Sequence, residues 1–219
     1  MIPFYLLTSS KTESILPVTK YFCKKYWPED LEIGIIKNEG EIQDWSKNIY
    51  QHFLEYEKSP YVILSLDDFW PYSKLNERTF NRLLNYAKKT SKVGRIELGD
   101  WPKNHKYFME VEDDIVWIDE HEKYKLSLQL AVWNREYILK YFWRDWSPWD
   151  VEILGSQMAS FDGWKRVAVT SGPVIGWNDR TALSKIWEGK VNVTGMPAED
   201  VAYLLSTNFC KPEDLVTNV

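Results

Sequence analysis

The chain has 219 residues, with 27 Lys and Arg against 32 Asp and Glu, for a formal charge of -5. That length suits one domain with a sizeable core, and the acidic balance excludes a general nucleic-acid binder, which needs a basic face to neutralise phosphates. Cys23 and Cys210 give neither a disulfide framework nor zinc spacing, no run reaches the length of a membrane span, and the first ten residues lack the basic and apolar regions of a secretory signal. A cytoplasmic protein without an integral membrane segment is therefore expected.

Residues 3–8 read as a first short strand that ends in Thr8, Ser9 and Ser10, three small hydroxyl residues with available backbone donors. A helix follows from Thr12, with Ile15, Val18 and Phe22 on one face and Pro17 in its first turns. Leu31 to Ile36 forms a second strand and runs into the polar turn Lys37-Asn38-Glu39-Gly40. Ile42, Trp45, Ile49 and Phe53 then recur at helical spacing, which predicts an amphipathic helix of about fifteen residues. The apolar run at 61–66 suits a strand buried on both faces, as in the middle of a parallel sheet. This β-α-β-α-β order predicts parallel strands joined by right-handed crossovers.

The third strand stops at Asp67 and Asp68, followed by Phe69, Trp70 and Pro71. Ligands of open α/β sheets sit outside the carboxyl ends of the strands. Two carboxylates held together there raise each other's pKa unless a cation joins them. Mg²⁺ commonly takes one or two carboxylates together with substrate phosphates. The pair therefore reads as a metal–diphosphate site, although Asp-Asp after a strand also serves as an ordinary loop or helix cap.

Further along, Phe80, Leu83, Leu84 and Ala87 mark a helix from Leu75 to Lys89, and Val93 to Leu98 a fourth strand. A hairpin is predicted between Tyr107 and Ile118, turning at Glu112-Asp113-Asp114, with the acids from Glu110 to Glu122 as solvated surface. Tyr124 to Gln129 reads as another strand and Trp133 to Phe142 as a helix. Ser147 is a suitable N-cap for a helix with Pro148 at N1. Strands are predicted at 164–170 and 173–178, and a last helix at 197–205 against the sheet edge. Nothing divides the chain, so residues 1–219 read as one domain. The aromatic content is high, with 12 Trp and 13 Tyr, and His52, His105 and His121 are too scattered for a metal or nucleophilic site.

Taken in order, the strand ending Leu-Leu-Thr, Lys25-Tyr26-Trp27, the helix at Trp45 and Leu66-Asp67-Asp68-Phe69 form a pattern. It continues with Ser127-Leu128-Gln129-Leu130-Ala131-Val132-Trp133 and Ser147-Pro148-Trp149-Asp150-Val151-Glu152. Over most of residues 3–155 this resembles small GT-A-type glycosyltransferases of bacteria and large viruses, which carry an Asp-Asp-aromatic motif and a later Trp-x-x-Glu. The resemblance implies a GT-A-like, Rossmann-related α/β domain with a central, mostly parallel mixed sheet flanked by helices. It also implies an enzyme moving a hexosyl or deoxyhexosyl group from a nucleotide-sugar donor to a glycan or other hydroxyl acceptor, with inversion, and, if virus-encoded, in the host cytosol.

In that family the acidic motif holds Mn²⁺ or Mg²⁺ on the donor diphosphate, which the resemblance carries to Asp67 and Asp68; Phe69 stands where a third acid is common, which leaves open which of the two touches metal and which the ribose. The end of the first strand lies beside the nucleotide, which places Thr8, Ser9 and Ser10 there, with Asn38 nearby and Asp67 in reach of donor as well as metal. Glu152 fits the Trp-x-x-Glu position of a catalytic base, with Asp150 as its neighbour and competitor; both acids also suit the first turn of a helix. Gln129, Trp133 and Trp149 are candidate acceptor or sugar contacts, each with an ordinary strand or core role as the alternative. Two other functions remain open, a nucleotidyltransferase and a non-catalytic glycan-binding module. Leu-Leu-Thr-Ser-Ser-Lys is not the glycine-rich phosphate loop of the former.

Overall fold

A computed structural model describes residues 2–28, 31–99, 107–119, 123–178 and 189–217. Strand β1 (Phe4–Ser9), helix α1 (Leu16–Tyr26), β2 (Ile33–Asn38), α2 (Trp45–Glu55) and β3 (Tyr61–Leu66) follow the expected alternation. β1 pairs in parallel with both β2 and β3. The periodicities explain why. Leu6 packs on one face of the sheet with α1, while Leu7 packs on the other with Trp45, Ile49 and Phe53 of α2. β3 is buried along nearly its whole length, as a central strand covered on both faces must be.

The chain continues through β4 (Trp70–Pro71), α3 (Glu77–Lys89), β5 (Val93–Glu97), β6 (Tyr107–Glu112), β7 (Ile115–Ile118), β8 (Ala131–Asn134) and α4 (Arg135–Tyr141). Next come α5 (Pro148–Asp150), a π turn (Val151–Gly155), α6 (Ser156–Ala159), β9 (Lys165–Val169) and β10 (Trp177–Asn178). Among the described residues the main sheet has eight strands in the order β2-β1-β3-β8-β5-β9-β7-β6. β8 and β7 run against the rest, so the sheet is mixed but mostly in one direction. α1 and α3 cover one face, α2 and α4 the other. Each aliphatic side chain fully buried between these layers contributes about 1.5–3 kcal/mol.

Three expectations about residues 124–178 are corrected. Residues 124–129 are not a strand but a turn followed by irregular chain. Leu126 and Leu128 are buried as the alternation suggested, yet their N–H groups donate to Ser156 Oγ and Glu152 Oε1 rather than to a ladder. The helix expected from Trp133 begins at Arg135, because Ala131–Asn134 is the strand inserted between β3 and β5. Only Trp177–Asn178 of the strand expected at 173–178 is regular, and it pairs with Trp70–Pro71.

The hairpin β6–β7 turns at Asp113, whose φ is 47°, and Glu110, Glu112 and Asp113 are exposed; Glu120 and Glu122 lie outside the described residues. The last helix, Ala198–Ser206, rests on α1 rather than on the sheet edge. Tyr203 stacks on Tyr21 at 3.5 Å, and buried Asp200 accepts from Lys25 and Tyr26. No helix among the described residues is long and apolar enough to cross a membrane.

Candidate functional site

Because β1, β2 and β3 are parallel, Thr8, Asn38 and Asp67 all come to one edge of the sheet. β5 and β9 end on that same edge, and the antiparallel β8 begins there, with Ala131 paired to Leu64 and to Glu97. The expected juxtaposition of Thr8–Ser10, the end of β2 and the acidic pair is therefore present. Asp67 and Asp68 are 4% and 6% exposed.

Asp67 is held from several directions. Its N–H donates to the Leu7 carbonyl at 3.1 Å. Thr8 Oγ1 donates to its Oδ2 at 2.5 Å. Thr12 Oγ1 sits 3.4 Å from Thr8 Oγ1 and 3.1 Å from Ser9 Oγ, closing a cluster of hydroxyls around the carboxylate. Thr19 Oγ1 donates to the Asp67 carbonyl and accepts from Trp70 Nε1, which fixes the chain on either side of the pair. Burial pushes the Asp67 carboxyl up to about 6, with the Thr12 and Thr8 hydroxyls pulling it partly back. A carboxylate that dry, beside a second one, suits a divalent cation. No group of three or more His, Cys, Asp or Glu side chains that could hold a metal ion occurs among the described residues, so a cation here would need ligands beyond the two carboxylates.

Asn38 is buried and already engaged. Its Nδ2 donates to the Gly40 and Glu41 carbonyls, and its Oδ1 accepts from Asn48 Nδ2 at 2.6 Å. It shapes the turn after β2. Ser9 is half-buried and Ser10 exposed.

In the second half of the sheet the two candidate bases part company. Asp150 Oδ2 accepts from the Ser147 N–H at 3.0 Å and from Ser147 Oγ at 2.6 Å, while its own N–H donates back to Ser147 Oγ: a complete capping box. Glu152 lies in the π turn, where its Oε1 accepts from the Leu128 N–H at 2.7 Å. Among the described residues its Oε2 has no hydrogen-bond donor. The π turn presses closely on the segment before β8: a Cβ on Gly155 would meet Leu126 Cδ1 at 2.8 Å. That approach, open to glycine without displacing Leu126, brings Glu152 to the backbone leading into β8, on the acidic edge of the sheet.

Gln129 is exposed at this edge, and its carbonyl accepts from Arg95 Nη2 at 3.1 Å. Trp149 is 60% exposed, free to offer an aromatic face. Trp133 does not line a groove: it is fully buried, edge-on to Phe142 at 5.6 Å and beneath the Arg95 guanidinium at 5.2 Å. Its strand position turns it into the core under α4.

Two features were missed in the sequence. Arg95 and Glu97, two apart on β5, share a face and are buried with Arg166 of β9; Glu97 Oε1 accepts from Arg95 Nη1 and lies 3.2 Å from Arg166 Nε. Burial lowers the Arg95 pKa, against the pull of Glu97. The Arg-x-Glu spacing was the available signal, but on a strand it reads equally as a solvated face. The other is Trp177, whose indole packs so closely over Gly99 that a Cβ there would lie 1.6 Å from it. It also meets Phe69, next to the acidic pair, edge-on at 6.3 Å.

No known protein-family model and no curated protein matches the sequence. Solved structures that align with it include A197 from STIV, with a TM-score of 0.46 and 13% identity over 78% of this chain and 83% of that one. TarS 1–349 of S. aureus aligns with a TM-score of 0.48 and 8% identity over 84% of this chain and 63% of that one. An apo UDP-glucose pyrophosphorylase aligns with a TM-score of 0.48 and 9% identity over 94% and 82%. Likeness at this level assigns no activity.

Proposed function

We propose that the chain is a metal-dependent, inverting glycosyltransferase, a single domain that moves a sugar from a nucleoside-diphosphate donor to a hydroxyl acceptor. The observation that carries the reading is the Asp67–Asp68 pair: two buried carboxylates at the carboxyl end of a central strand, one of them ringed by threonine hydroxyls instead of cations. Asp67 and Asp68 would hold Mn²⁺ or Mg²⁺, which when bound supplies charge neutralisation to the leaving diphosphate. Thr8, Ser9 and Ser10 border the nucleotide, and Thr8 orients Asp67 through its hydrogen bond.

Glu152 serves as the base. One oxygen is fixed by the Leu128 N–H, which leaves the other to face an acceptor hydroxyl. As the acceptor oxygen bonds to the anomeric carbon, its proton passes to Glu152 and the bond to the diphosphate breaks with its electron pair on the leaving oxygen. Asp150 remains with the helix cap.

A panel of nucleotide sugars screened by thermal shift, with and without Mn²⁺, tests the reading, because a ligand that binds only the native state raises its melting temperature. One donor is expected to stabilise the protein only with metal, and Asp67→Asn and Asp68→Asn are each expected to remove that shift. Glu152→Gln is expected to keep the shift and lose transfer by about a hundredfold or more. Metal-independent donor binding, or wild-type donor binding by both aspartate variants, would sink it.

A further inference from the structure

Beside Glu152 opens a pocket of about 350 Å³, bordered by Tyr124, Ile153, Gln157 and Ser160, with Lys123 also at its edge. That volume is at the small end of ligand sites and takes one ring or a short chain. Its polar groups are the Glu152 carboxylate, the Gln157 amide, the Ser156 and Ser160 hydroxyls and the Lys123 ammonium, and its apolar wall is Ile153 with the ring of Tyr124. Of the eleven exposed large hydrophobic side chains among the described residues, six fall between Trp143 and Phe161: Trp143, Trp149, Ile153, Leu154, Met158 and Phe161. All six belong to the segment that also supplies Gln157 and Ser160 to the pocket.

The backbone gives a second, independent sign. Tyr124 and Phe161, both more than half exposed, have φ of 59° and 63°. Bulky side chains in the left-handed region are strained and persist where surrounding contacts enforce them. Tyr124 is enforced from beneath: its carbonyl accepts from Arg166 Nη1 at 2.9 Å and from the Ser127 N–H at 2.9 Å. The core thus holds an exposed aromatic ring at the pocket that contains the candidate base. Trp149, exposed on α5, lies just before the π turn that carries Ile153.

Resting on the glycosyltransfer reading for its role, we infer that this pocket takes an acceptor with an apolar aglycone: a hydroxylated ring against Glu152, Gln157 and Ser160, and an alkyl or aryl group along Tyr124, Ile153 and Trp149. A free amphiphile and a lipid-anchored glycoside share this chemistry. A polymeric sugar would instead need a longer groove lined with hydrogen-bonding groups.

Calorimetric titration with octyl β-D-glucopyranoside and methyl β-D-glucopyranoside, below the micelle concentration and without nucleotide or metal, tests the pocket alone. The octyl glycoside is expected to bind at least about tenfold more tightly than the methyl one, from burial of its chain. Ile153→Asp and Trp149→Ala, both at exposed positions, are each expected to keep the wild-type melting temperature and reduce that ratio towards one. A second arm uses phosphatidylcholine vesicles with and without embedded dodecyl glucoside. Preference for loaded vesicles assigns a lipid-anchored acceptor, and preference confined to solution a free one. Equal binding of octyl and methyl glycosides in solution, or an unchanged ratio in both variants, overturns the proposal. A failed donor titration with Mn²⁺ would instead remove the glycosyltransfer reading and leave the alkyl preference measurable.

Discussion

At the end of β3, Asp67 is buried against threonine hydroxyls; two strands across the same sheet, at the end of β5, Glu97 is buried against the guanidinium groups of Arg95 and Arg166. Both carboxylates are nearly dry, and they differ in what neutralises them. Glu97 has its cations built into the fold. Asp67 is given only dipoles, and its raised pKa records the deficit. A charge buried among neutral partners is left destabilised, whereas an internally paired charge is neutralised within the fold. On the proposed reading the end of β3 would receive a cation, while the end of β5 already holds its charge paired within the fold.

The comparison breaks most readily at Glu97. Glu97→Gln leaves Arg95 and Arg166 buried together without their shared carboxylate. The expected loss is about 3–5 kcal/mol, the size seen when one partner of a buried ionic group is removed. Equilibrium denaturation in urea measures it. Adding Arg95→Met should restore part of the loss, since one uncompensated cation leaves with it. A loss under about 1 kcal/mol for Glu97→Gln would mean that water already reaches this cluster.

At Asp67 the same change should act in the opposite direction. A carboxyl whose folded pKa lies above its unfolded value binds more protons in the native state between those values. Stability then falls as pH rises through the window from 3.8 to about 6. The full difference amounts to about 3 kcal/mol, absent below the window and fully expressed above it. Asp67→Asn keeps an acceptor for Thr8 but cannot ionise. In metal-free protein at pH 7 it should be more stable than wild type by up to that amount, with a flatter pH profile between 4 and 6. Denaturation in the presence of EDTA across that range checks both statements. A variant less stable than wild type at pH 7 would show that Asp67 is structural, like Glu97.

These contrasts also show where the sequence was legible. The β-α-β-α-β run could be read because each period was clean: the apolar stretch at 61–66, and Ile42, Trp45, Ile49 and Phe53 at helical spacing. The edge that gathers Thr8 and Asp67 followed from that order. Segment 124–129 misled because alternation reports which side chains are buried, not what their backbones bond to; Ser156 and Glu152 took the place of a neighbouring strand. β8 was hidden because Trp133, Tyr137 and Tyr141 continue a helical spacing across the strand–helix junction. The Arg95–Glu97–Arg166 cluster was invisible for a related reason. A charged pair two residues apart on a strand faces water in most sheets, and only the covering helix and β9 bury it here.

The smallest effect sharpens the division between the acid that builds the helix start and the acid proposed to work. Ser147 and Asp150 bond reciprocally, and the turn they close leads directly into the π turn carrying Glu152. Ser147→Ala removes the acceptor for the Asp150 N–H and should cost about 1 kcal/mol, a typical loss for an N-cap. Asp150→Asn retains one acceptor oxygen for Ser147 but loses the charge that complements the helix start, so its cost should be smaller, about 0.5 kcal/mol. Because both changes act through the helix start, transfer should fall in step with the loss of cap and stay within about tenfold of wild type, against a hundredfold or more for Glu152→Gln. Measuring melting temperature and turnover for all three variants separates the roles: two should move stability with little chemistry, and one chemistry with little stability. If Asp150→Asn loses as much turnover as Glu152→Gln while melting like wild type, the base is Asp150, and the capping box is a resting arrangement from which it must be released.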